Sequence, residues 1–379
     1  MKLLLCLVLL ALTGSAVQGG EGGGGTPFFI AGNDGIYRDS INPDTGKLGQ
    51  VTLACAAQGP NFLASSPVAQ ILYATLGAGE RSLADFQIRP DGSLHLLEAI
   101  RSGGTGACHV SVDRDGTNVL VANYDSGSIA SFKIHPDGTL GEPAFQARFT
   151  GSGPDPNRQK KPWAHSIYTD PGDAFIYACD LGTDSVWIFK FDRTTGRAMP
   201  DDPPAAKVPP GSGPRHLAFH PNGKSLYVAN EMGHSVTVFA RDTASGGLTA
   251  LQTVSALLPE TPVAGVTTAE IACHPTGQWL YVSNRGCDTI SVFSIAPDGK
   301  LTLIQSASSV AQFPRGFAID PSGRWLITAG QKDNRIAVLK IDPGTGRLTA
   351  TDQFASMPGP VCVVFPGAGQ PSRQEPIRD

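Results

Sequence analysis

Residues 211–231 read GSGPRHLAFHPNGKSLYVANE. Leu217, Ala218 and Phe219 form a short apolar run, His220-Pro221-Asn222-Gly223 supplies a turn, and Leu226 to Ala229 form a second run. Pro fixes φ and Gly tolerates positive φ, so the stretch predicts an antiparallel hairpin. Arg215 and His216 stand just before the first strand and Glu231 just after the second. In a hairpin these places are one physical end, so the three side chains are expected to lie close together. Two cations or donors beside a carboxylate, on rigid strands, make a candidate site.

The hairpin recurs along the chain. Its second half lines up at 28–41, 72–88, 119–134, 175–191, 226–240, 280–295 and 326–341. A further turn and strand follow most copies, as in HPDGTL, APDGKL and DPGTGRL. Four strands per unit at a period of about 50 residues describe a propeller blade. Seven units therefore predict an all-β, seven-bladed β-propeller. The first unit lacks its opening strand, whereas Gly359 to Phe365 matches an opening strand with no successor. Pairing that C-terminal strand with the first unit closes the ring and completes the first blade. One domain over 26–367 is expected, with a string of two barrels or sandwiches as the competing architecture.

Composition agrees with many short strands joined by tight turns: 45 Gly, 30 Pro and only 16% charged residues. The net charge is −4, and Arg158-Gln159-Lys160-Lys161 is the only basic run, which argues against a nucleic-acid partner. Met1-Lys2, the apolar Leu3 to Leu12 and the small residues Thr13 to Ala16 read as a secretory signal peptide, placed over 1–19. The apolar run is too short to span a bilayer. An exported, periplasmic or secreted protein is expected, with a disordered tail over 368–379. Beyond the leader stand Cys55, Cys108, Cys179, Cys273, Cys287 and Cys362, several within apolar strands. Their spacing shows no disulfide framework, and buried free thiols are expected.

With the turn Gly of each unit as zero, the repeat register selects residues. Seven positions earlier stand His109, His165, His216, Glu270 and Gly316; eight positions later stand Tyr124, Asp180, Glu231, Arg285 and Gln331. These places are expected to face each other, giving His109/Tyr124, His165/Asp180, His216/Glu231 and Glu270/Arg285. One position before the first set are Arg215 and Arg315. The first strand of a propeller blade is innermost, so this ring is expected at one mouth of the central channel. The segments 150–164 and 195–214 lead into first strands and are expected to overhang it.

Several chemistries fall away. No G-x-S-x-G stretch leads a helix, and no Gly-rich phosphate loop opens one. Arg215, Arg285 and Arg315 would repel a metal ion, so neither metal nor cofactor is expected. What remains is a His and a carboxylate for proton transfer, with arginines to grip an anion or a developing oxyanion. That set suits hydrolysis or formation of a lactone, whose product and tetrahedral intermediate are both negative.

The stretches 151–189, 210–231 and 280–293, with the closing PGPVCVVF, resemble the seven-bladed propeller lactonases. That family includes bacterial 6-phosphogluconolactonases and the related carboxymuconate lactonizing enzymes. The ordered string AHS, DLG, GPRH, NE and SNRG carries the resemblance over nearly all of the chain beyond the leader. It implies a metal-free lactone hydrolase or cycloisomerase acting on a small molecule, and a monomer is expected. By motif, the active-site His, Arg, Glu and Arg of the lactonizing branch fall on His165, Arg215, Glu231 and Arg285. In this reading His165, poised by Asp180, is the general base. Glu231 orients Arg215 and His216 or relays a proton, and His109, Glu270, Arg315 and Gln331 complete the substrate-binding wall. The chain departs from the family at ATLGAGERS in the second unit and at GCDTI in the sixth. A non-catalytic exported binding propeller and a cycloisomerase remain alternatives.

Overall fold

The apolar runs of the repeat form seven antiparallel sheets of four strands each. The computed structural model describes residues 25–77 and 79–367; the leader 1–19 and the tail 368–379 lie outside the described residues. Every regular element among the described residues is a β-strand. No helix there is long and apolar enough to cross a membrane.

Blade five shows why these sequences become blades. Pro214–Phe219 pairs with Ser225–Asn230, which pairs with Ser235–Arg241, and Leu248–Ser255 lies outermost. Side chains alternate between the faces of a strand. Leu226 and Val228 pack with Phe175 and Ile188 of blade four, while Tyr227 and Ala229 pack with Leu280 and Phe293 of blade six. Both faces of the second strand are therefore buried, which is why it reads as a continuous apolar run rather than an alternating one. Seven such clusters fill the seven junctions between blades. Each fully buried large aliphatic side chain in them contributes roughly 1.5–3 kcal/mol. Tyr73, Tyr177 and Tyr281 add ties between blades, their hydroxyls donating to the Gly138, Gly246 and Gly346 carbonyls at 3.0, 2.7 and 2.8 Å.

The innermost strands are Cys362–Val364, Pro60–Ser65, Ala107–Val112, Ala164–Thr169, Pro214–Phe219, Thr267–Cys273 and Pro314–Ile319, in blades one to seven. Each touches the next around a closed circle. The ring closes where Phe29 pairs with Val364 and Ala31 with Cys362, so the first blade takes its inner strand from the C-terminal end.

Six of these strands share a local irregularity. Asn61, Cys108, His165, Arg215 and Arg315 are each an extra residue opposite the second strand, and blade six has its extra residue between Thr268 and Ile271. A β-bulge re-aims the side chain it carries. Four of these residues, Asn61, Cys108, His165 and Arg315, are turned toward the same mouth of the channel. The six cysteines of the described residues are unpaired; Cys108, Cys179 and Cys362 are buried, and Cys55, Cys273 and Cys287 are partly buried.

Candidate active site

Arg215 occupies the blade-five bulge, and its Nε lies 3.1 Å from Oε2 of Glu231, which follows the neighbouring strand. The same oxygen is 2.9 Å from Nη2 of Arg285, at the end of strand Trp279–Arg285, and 4.0 Å from Nε2 of His165. Oε1 of Glu231 accepts from Nη2 of Arg158 at 2.7 Å. One carboxylate thus gathers three guanidinium groups and an imidazole. Arg215, Glu231 and Arg285 are only 2, 6 and 5% exposed.

Above this hub is a cavity of about 360 Å³. His165, Glu231, Arg285 and Arg315 line it together with Arg158 and Asn61; Cys108, Tyr124 and Asp125 complete its polar side. Arg315 donates to Asn61 at 3.4 Å and has no acidic partner among the described residues. Aromatic rings flank the mouth. Trp163 stacks on Tyr124 at 4.8 Å with Lys161 over its face, and Phe313 lies beneath Arg285 and Lys332.

The charge states follow from burial and neighbours. Burial works to raise Glu231, but Arg285 and Arg215 overcome it and hold the carboxyl well below its usual range. Burial, followed by Arg215 and His216, holds His165 well below the ordinary imidazole value. His165 is therefore a neutral ring, and its Nδ1 has no partner within the protein. Burial and neighbouring Arg215 bring Arg285 down to about 10, so it stays charged at neutral pH. The cavity wall is cationic overall and holds a neutral base. Among the described residues no three His, Cys, Asp or Glu side chains converge as metal ligands.

The model of the seven-bladed β-propeller lactonase family matches residues 25–365. The chain belongs to that family. It is 33% identical to a 6-phosphogluconolactonase of Bacillus subtilis over 88% of this chain and 95% of the relative. With a 6-phosphogluconolactonase of Formosa agariphila it shares 32% identity over 84 and 92% of the two chains. The solved structure of a periplasmic gluconolactonase from Pseudomonas aeruginosa superposes with a TM-score of 0.82 at 25% identity, covering 90% of this chain and 98% of that one.

Within this lactonase-family propeller, the sequence register needs one correction. The turns before the second strands place Gly116, Gly223, Gly277 and Gly323 at φ of 66–73°, a left-handed position that favours glycine. In blade four that position belongs to Asp173, at φ 53°, and Gly172 comes one residue earlier. Counted from the left-handed residue, His165 aligns with Arg215 and Arg315 on the bulges rather than with His216.

Asp180 accordingly does not poise His165. It pairs with Ala164 in the ladder and accepts from the Trp163 and Gly182 amides, the Thr183 hydroxyl and the Trp187 indole, which ties up its own hairpin. Nor do the other expected cross-hairpin pairs form. His216 meets Glu270 at 2.8 Å instead of Glu231, and Arg285 meets Glu231 instead of Glu270. His109, next to Ala122 in the ladder, packs on Tyr168, Phe62 and His216 rather than on Tyr124. His109, His216 and Glu270 form a layer beneath the cavity, outside its lining, and Gln331 is half-buried outside it too.

The expected overhang is also only half present. The 150–163 segment brings Arg158 over Glu231, whereas Arg197–Lys207 is the outer strand of blade four. Gln159 fastens the overhang by donating to Asp184 and to the Leu181 carbonyl, both at 2.8 Å. Arg158 escaped the repeat register because it sits in a loop. Its signal was the basic run leading into an inner strand.

Proposed function

We propose that this protein is a sugar-lactone hydrolase that prefers an anionic substrate of the 6-phosphogluconolactone type. One observation carries the reading: in a chain of the lactonase family, a cavity lined by three arginines and a neutral histidine, with Glu231 neutralising only part of the cationic charge. Lactone opening makes a bond from water oxygen to the carbonyl carbon and breaks the ring C–O bond. The proton leaves the attacking water and ends on the departing ring oxygen. His165 is suited to carry it, since it is a neutral ring in the cavity lining. An anion or oxyanion in the cavity raises the His165 affinity for that proton, offsetting the cationic wall. Arg285 and Arg315 are placed to stabilise the tetrahedral oxyanion and an anionic substituent. Glu231 holds Arg285, Arg215 and Arg158 in register and does not leave its ionised state.

The apolar Leu3 to Leu12 stretch supports export of the protein. An exported enzyme would meet unphosphorylated aldonolactones as well, so the phosphate is the variable to test. The measurement is a pH-stat assay of 6-phosphoglucono- and glucono-lactones near neutrality, corrected for spontaneous hydrolysis. Faster turnover of the phosphorylated lactone is expected. Failure of folded protein to open any lactone sinks the reading, and equal turnover of both removes the anionic preference.

A further inference from the structure

Directly beneath Arg215 the structure holds a buried chain of polar contacts with a fixed direction. Arg215 Nη1 is 3.3 Å from His216 Nε2, and His216 Nδ1 is 2.8 Å from Glu270 Oε1. A guanidinium N–H can only donate, so His216 Nε2 must accept. The ring proton then sits on Nδ1 and is donated to Glu270, whose Oε1 also accepts from the Ile271 amide at 3.1 Å. The Glu270 amide donates to Ser283 Oγ at 2.9 Å, which anchors the strand at the carboxylate. The His216 ring cannot rotate freely. Phe62, His109 and His165 pack against it edge to face, with centroids at 5.4, 5.3 and 5.2 Å.

We propose that Glu270 and His216 are positioning residues for the reaction. The Glu270 carboxylate fixes the Nδ1–H tautomer of His216, and His216 Nε2 then anchors Arg215 against Glu231. The proposal rests on the hydrolytic reading above for its kinetic part, but not for the tautomer. It assigns a use to two buried titratable groups that never touch the cavity. Orienting partners that act through a ligand of the reacting group set its tautomer and aim in just this way.

The chain is sensitive to pH. Glu270 is faced by Arg215 and His216 from blade five, His109 from blade three, Tyr168 from blade four, Arg315 from blade seven and Cys362 from blade one. Burial, partly opposed by Arg215, pushes Glu270 up to about 7. Below that pH the protonated carboxyl becomes a donor to His216 Nδ1. The ring proton then moves to Nε2, where it meets an Arg215 N–H, and the anchor is lost.

The test uses the full chain, with Glu270→Gln and Glu270→Asp, ¹⁵N-histidine spectra and kinetics on the preferred lactone from pH 5 to 9. The His216 signal is identified by its loss in His216→Asn. In the unsubstituted protein at pH 8, His216 is expected to carry its proton on Nδ1, and kcat is expected to fall as the pH drops through about 7. Glu270→Gln is expected to lower kcat at pH 8 by ~10–100-fold with KM within about threefold, and to abolish the limb near 7. Glu270→Asp retains the carboxylate and is expected to keep that limb. A proton on Nε2 of His216 at pH 8 overturns the proposal, as does a Glu270→Gln enzyme with unchanged kcat and pH profile. If the protein opens no lactone, the functional reading fails while the tautomer spectrum still decides the chain of contacts. If Glu270→Gln does not fold, Glu270→Asp and that spectrum decide it.

Discussion

Two buried carboxylates in this propeller live under opposite regimes. Glu231, at the mouth, is held ionised by Arg158, Arg215 and Arg285. Asp85, on strand Leu83–Ile88 of blade two, is fully buried, and neither of its carboxylate oxygens has a partner. Burial, reinforced by Glu98 and Asp137, pushes Asp85 up to about 7. Burial raises both carboxyls, so partners decide the charge. The difference teaches that the mouth invests its charge in holding arginines in place. The blade-two wedge merely tolerates a carboxyl, as an acid that remains protonated until about neutral pH.

If the Glu231 cluster exists to serve chemistry, the largest effect belongs to the base beside it. His165→Ala is expected to lower kcat/KM by at least ~100-fold, and a loss under about threefold would remove His165 from that role. Arg285→Ala is expected to cost ~10²–10³ in kcat, read from initial rates at saturating lactone. Glu231→Gln strands three guanidinium groups and is expected to destabilise the fold by ~3–5 kcal/mol in denaturant titrations.

Asp85→Asn carries the opposite sign. The folded pKa of Asp85 lies above its ordinary 3.8, so its contribution to stability is complete below about 3.8 and is lost as pH rises through about 7. The variant is therefore expected to gain ~1–3 kcal/mol over the parent at pH 8, with the gain vanishing near pH 4. Equal effects of pH on both proteins would mean Asp85 has partners after all. Arg158 is the smallest case, since its side chain is 42% exposed. Arg158→Ala is expected to change stability by less than ~1 kcal/mol while raising KM for anionic lactones.

The blade count was legible because each second strand is buried on both faces, which leaves an unmistakable apolar run at a constant period. Its ring closure was legible for the same reason: Val361 to Phe365 is such a run without a sequel. Side-chain direction was not. A bulge inserts one residue just where the site begins, so Arg215 turns to Glu231 while adjacent His216 turns to Glu270 in the layer beneath. Nothing in a period of apolar residues marks that extra residue. In blade four, Asp173 adopting the left-handed turn position shifted the count by one and paired His165 with the wrong carboxylate. Arg158 reaches Glu231 from a loop, where periodicity has no reach at all.

The seam of the ring lies between Arg315 and Asn61, whose inner strands flank the short C-terminal inner strand of blade one. On the ribosome, that stave emerges only after every strand of blades two to seven. The circle of inner strands therefore stays open until residues 362–364 are made, and a protein cut short before them would lack one stave of that circle.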